Sequence, residues 1–133
     1  MSPLRRSSSL ALVLALACCS RPPADQLRSE LQTVASWAAT ARMAGEEWLK
    51  GSVPRAYAAQ TFRAAEETLR EEARAIQGQR AEAAAGLTRA AAATVRQMRA
   101  AVEGGDTRAL AQFLERLKAE ERAVRSLAGG ERP

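Results

Sequence analysis

Residues 55–78 read RAYAAQTFRAAEETLREEARAIQG. Within this stretch Ala58, Phe62, Ala65, Leu69, Ala73 and Ile76 recur at steps of four and three. On a helix of 3.6 residues per turn, that spacing gathers them into one apolar stripe. Arg and Glu fill most of the opposite face, and nothing in the stretch alternates with period two. The segment is therefore an amphipathic helix whose apolar stripe needs a partner.

Three further stripes supply partners. Leu27, Leu31, Val34, Ala38 and Ala41 form one, with Trp37 and Trp48 alongside. Leu87, Ala91, Val95, Met98 and Val102 form another, and Leu110, Phe113, Leu114, Leu117, Val124 and Leu127 the last. Glycines punctuate the four at near-equal steps: Gly51, Gly78, Gly104-Gly105 and Gly129-Gly130. Glycine is the favoured residue just past a helix end because it enters the left-handed conformation without steric cost. Ser52, with Pro54 behind it, and Asp106 read as the N-caps that restart the chain. The expected fold is all-α, an up-down antiparallel four-helix bundle over residues 25–128, followed by a flexible tail at 129–133. Gly78 is the weakest stop, since only Gln79 follows. The alternative is thus a three-helix arrangement with one long central helix through Gly78, and with it a coiled-coil homo-oligomer.

Local features refine this frame. Gly45 and Gly86 fall inside helices, where each costs ~1 kcal/mol relative to Ala. They mark either a close crossing or tolerated drift. Glu66–Arg70 and Glu121–Arg125 are spaced for i,i+4 pairs. In a hairpin about Gly78, Arg89 is expected opposite Glu66 and Glu67. One of Glu120 and Glu121 interrupts the apolar stripe between Leu117 and Val124, which is expected to loosen that end of the bundle; a buried functional carboxylate is the alternative.

Composition narrows the chemistry. The 133 residues contain 31 Ala, no His, two Cys and 4% aromatics, with a net charge of +5. Without His there is no His-based triad, zinc site or di-iron site, and no Ser-x-x-Lys motif offers another nucleophile. Two Asp cannot build a calcium loop. No enzyme activity, metal or other cofactor is expected. Of the 20 basic residues 18 are Arg, but they are interspersed with Glu rather than gathered on one face, so nucleic acid is not an expected partner.

The N-terminus decides location. Arg5 and Arg6 precede an apolar run from Leu10 to Ala17, which ends at Cys18, Cys19 and Ser20. The run is too short to span a bilayer, which takes ~20 residues. A basic start, a short apolar centre and a small-residue end form the plan of a secretory signal. With Cys at its end, this segment resembles the signal peptide and lipobox of bacterial lipoproteins. The resemblance implies a cleaved signal peptide over 1–17 and a lipidated Cys18, acylated with chains such as palmitate, within a Pro-containing tether over 18–24. Cys18 has the small residue Ala17 before it; Cys19 is the alternative, with Leu16 three residues upstream. Neither Cys19 nor Ser20 is Asp, the inner-membrane retention residue in Gram-negative lipoproteins, so the resemblance implies the periplasmic side of the outer membrane more than the inner. Removing Arg5 and Arg6 leaves 18 basic against 15 acidic residues, a charge of +3.

Trp37, Trp48 and Tyr57 are the candidate contact residues. Trp48, Leu49, Pro54 and Tyr57 surround the first turn. They read either as core packing with loop capping or as an apolar tip for a partner, membrane or ligand. The expected role is non-catalytic: a structural or protein-interaction module of the cell envelope, held to the membrane by lipid and contacting an envelope protein. The rival is a periplasmic small-ligand- or stress-sensing protein with a pocket between helices near Trp37 and Trp48.

Overall fold

The computed structural model describes residues 23–129. The expected signal peptide and both candidate lipidation residues, Cys18 and Cys19, lie outside the described residues, as does most of the expected tail. Four helices follow one another: α1 (Pro23–Leu49), α2 (Arg55–Gly78), α3 (Glu82–Glu103) and α4 (Thr107–Ala128). Each packs on its neighbours in chain order, α1 closes on α4, and α1 and α3 touch lightly across the diagonal. This is the expected up-down four-helix bundle. No described helix is long and apolar enough to cross a membrane.

The stripes form the core. All six stripe residues of α2 are buried, as are Leu31, Val34, Ala38 and Ala41 of α1. From α3 come Ala91, Val95, Met98 and Val102, and from α4 Leu110, Leu114, Leu117 and Val124. Half of the buried apolar residues are alanines. Alanine lets helix axes approach closely but removes little area from water, about 25 cal/mol per Å². The two interior glycines separate here. A Cβ on Gly45 would stand 3.1 Å from Met98 Cε, 3.3 Å from Leu114 Cδ1 and 3.7 Å from Phe62 Cζ. Gly45 is thus a close crossing where side chains of α2, α3 and α4 converge on α1. Gly86 has only Arg89 Nη2 nearby, at 3.8 Å, so it is tolerated drift.

The helix ends correct several expectations. The described chain is already helical at Pro23, ahead of the expected start at Asp25, because a first turn leaves its N–H groups unpaired and loses nothing to a proline. Gly51, at φ +75, stops α1: its N–H donates to the Trp48 carbonyl at 2.9 Å, and that of Ser52 to the Glu47 carbonyl at 2.9 Å. Gly105, at φ +67, stops α3 in the same way, with Asp106 N donating to the Ala101 carbonyl at 2.8 Å. This is the paired-bond stop that a left-handed residue permits. Asp106 caps α4 as expected, its carboxylate accepting from Ala109 N at 3.0 Å. Ser52 does not cap α2; the extended Pro54 holds that position without a side-chain bond. The chain does not run on through Gly78. α2 ends there and the left-handed residue is Arg80, at φ +61. The long central helix is therefore not formed.

Charged residues also lock the helices. Glu66 is buried and paired with Arg99 at 3.3 Å and with Arg70 at 3.6 Å. Arg89, expected at that level, instead donates to Gln77 at 3.3 Å. The hairpin centre lies near Arg80, so Glu66 faces the region of Thr94, and a helical side chain leans toward its N-terminus. That lean brings in Arg99. Glu121 does not loosen α4. It is 6% exposed, and its carboxylate accepts from Arg42 Nε at 2.8 Å and Arg125 Nη2 at 3.0 Å. Arg42 also holds Glu46 at 3.3 Å.

Candidate functional site

Antiparallel packing gives the bundle two chemically distinct ends. α1 has 27 residues, about 40 Å at 1.5 Å per residue. One end carries the start of α1, the α2–α3 turn and the end of α4. The opposite end carries the α1–α2 and α3–α4 turns.

The three sequence candidates distribute along α1 and onto that far end. Trp37 lies mid-helix, partly buried and packed against the core. Trp48 is the penultimate residue of α1 and is likewise partly buried against the core. Its placement follows from the stop at Gly51, which folds the chain back immediately beyond it. Tyr57, in the first turn of α2, is 54% exposed, and Leu49 beside Trp48 is 38% exposed. The two indoles therefore serve packing first, whereas Tyr57 and Leu49 present apolar surface at the tip. Arg55 fixes this tip by donating to the Glu103 carbonyl at 3.5 Å, joining the α1–α2 turn to the end of α3. Met43, 58% exposed, adds apolar surface on the outer side of α1. The sequence reading missed it, although its position off the α1 stripe was a usable signal.

The near end carries an apolar pocket of about 280 Å³, lined by Leu27, Leu31, Ala81, Ala83, Ala84 and Leu127 with Glu82. Leu127 was expected in the α4 stripe, but at 43% exposed it lies at the pocket rim. Neither Trp37 nor Trp48 lines this pocket.

Two carboxyls lie in the seams between helices. Glu120 faces α3, where the Thr94 hydroxyl is 2.6 Å from Oε1 and 3.1 Å from the Ala90 carbonyl. Burial raises its pKa, against the lowering effects of Thr94 and Arg116. The Thr94 hydroxyl donates to Glu120 Oε1, with the Ala90 carbonyl as its second acceptor. Glu72 is raised by burial first, then by the charges of Glu30 and Glu71. Gln79 Nε2 donates to Glu30 across the α1–α2 seam. For Glu121, burial alone would raise the pKa, but hydrogen bonds and charge from Arg42 and Arg125 outweigh it and hold the carboxyl below its ordinary value. Among the described residues no group of three or more His, Cys, Asp or Glu is placed to hold a metal ion.

Comparison of the chain with protein-family models, curated proteins and solved structures gives no match.

Proposed function

We propose that the chain is a lipid-anchored helical-bundle protein of the bacterial cell envelope. On this reading it is fastened through Cys18, with Cys19 as the alternative, on the periplasmic side of the outer membrane. Its role is non-catalytic: the bundle is a spacer that presents its tip to an envelope protein. The observation that supports this reading is the disposition of the two ends. The start of α1, the described residue nearest in sequence to Cys18, is at one end, and the exposed Tyr57 and Leu49 lie at the other, about 40 Å away along a 27-residue helix. An exposed tyrosine at the tip suits a protein contact, since Tyr is among the residues on which binding energy concentrates, and Leu49 adds apolar surface beside it.

The test is site-specific photocrosslinking in intact envelopes from position 57, with Arg122 on the side of α4 as a comparison position. A discrete adduct from position 57 that weakens in Leu49→Ala, while the bundle keeps its helicity, supports the reading. Equal adducts from both positions, or none from position 57, count against it.

A further inference from the structure

Two contiguous grooves run along the α2–α3 seam. One, of about 200 Å³, is lined by Glu66, Arg70, Arg89, Ala92, Ala93 and Arg96. The other, of about 360 Å³, is lined by Arg70, Ala73, Arg74, Gln77 and Arg89. Small alanines on both helices open the trough, and arginines form its banks. The one carboxylate in the lining, Glu66, is already engaged by Arg70 and Arg99. Among the described residues Arg89 meets only the neutral Gln77, and Arg74 and Arg96 make no ion pair. Glu67 and Glu71 are exposed further round α2 and do not pair with these arginines. The trough is therefore an uncompensated cationic site built from guanidinium groups, which bind phosphate oxygens bidentately.

Its place on the bundle selects the ligand. Arg74 lies four residues before the end of α2 and Arg89 seven residues after the start of α3, so both are within about 10 Å of the α2–α3 turn. That turn is at the end where α1 begins. Cys18 is five residues before Pro23, a reach of at most about 17 Å for extended chain. We infer that the arginine trough of α2 and α3 binds the phosphate headgroups of anionic lipids in the bilayer to which the chain is tethered. This placement rests on the membrane-anchored reading; the chemistry of the trough does not. Headgroups bound near the α2–α3 turn would hold that end of the bundle against the lipid surface and leave the far tip directed away from it.

The experiment uses the full chain carrying Cys18→Ser and Cys19→Ser, so that acylation is absent from every arm and a failed anchor cannot be mistaken for a failed groove. Co-sedimentation is measured with vesicles of phosphatidylcholine alone and of phosphatidylcholine mixed with phosphatidylglycerol, and the ratio of the two partition coefficients is read. Each arginine near an anionic surface strengthens partitioning about fivefold, so R74A/R89A should lower the ratio by about 25-fold. The control R108A/R122A removes the same charge from exposed positions on α4 and should change it by less than about twofold, since distant exposed charges are screened. If R89A perturbs Gln77, R74A alone still reads the groove. An equal loss in both double variants would overturn the inference in favour of bulk charge. Absence of any anionic preference, or displacement of the unsubstituted groove from vesicles by inorganic phosphate as readily as by phosphatidylglycerol vesicles, would overturn it as well.

Discussion

Replacing the two glycines inside helices by alanine should move stability in different directions. Either substitution removes the same backbone penalty, ~1 kcal/mol in a helix interior. At Gly86 the new methyl meets only Arg89 Nη2 at 3.8 Å, an ordinary contact, so Gly86→Ala should gain most of that amount. For a domain of about 100 residues this is a rise in Tm of roughly 4–8 °C. At Gly45 the methyl would stand 3.1 Å from Met98 Cε and 3.3 Å from Leu114 Cδ1. Met98 can swing its terminal methyl aside, but Leu114 is packed against the same crossing. Overpacking of this kind costs about 1–3 kcal/mol, which cancels or exceeds the helix gain. Gly45→Ala should therefore be neutral or destabilising by up to about 2 kcal/mol, the difference of those two figures. Urea unfolding followed by far-UV circular dichroism measures both, with equal slopes required for the comparison. A Gly45→Ala variant stabilised as much as Gly86→Ala would refute the convergence of α2, α3 and α4 on this point of α1.

Other substitutions test the helix ends and the seams. Arg80 holds φ +61, so Arg80→Gly should stabilise the fold by about 0.5–1 kcal/mol in urea unfolding. Asp106→Ala removes the α4 cap bond to Ala109 N and should cost ~1 kcal/mol by the same assay. The pH dependence carries two opposed signs. Glu121 has a lowered folded-state pKa, so its stabilisation is present above the unfolded value and is lost as pH falls through the folded one. Glu120 has a raised folded-state pKa, so its stabilisation is present below the unfolded value and is lost as pH rises through the folded one. Glu120→Gln should thus raise stability at neutral pH and flatten the loss above the ordinary carboxylate range, whereas Arg42→Ala should destabilise most at neutral pH. Unfolding midpoints across a pH series separate the two.

The four helices were legible because each apolar stripe keeps a 3.6-residue period and glycines fall between stripes. The α2 stripe was read without error: all six of its residues are buried. The stops were less legible. At Gly51 and Gly105 the glycine is itself the left-handed residue, but at the α2–α3 turn that role falls to Arg80, and composition cannot announce an arginine in a conformation it rarely adopts. Burial of Glu66 was not foreseen, and that of Glu121 stood only as an alternative, for a related reason. Their partners Arg99 and Arg42 lie on other helices, and pairing across helices depends on register, which a stripe alone does not fix. The tip was half legible: the cluster of Trp48, Leu49 and Tyr57 was found, but which of them packs inward depends on the angle at which the turn leaves α1. The arginine trough needed two helices side by side before its banks could be seen.

The lipid anchor is the claim on which the membrane reading turns, and metabolic labelling with palmitate tests it most directly. The account predicts label on the full-length protein expressed in a Gram-negative host, its loss in Cys18→Ala, and its retention in Cys19→Ala. A protein that takes up no label, or a double variant labelled as strongly as the parent, would contradict the account.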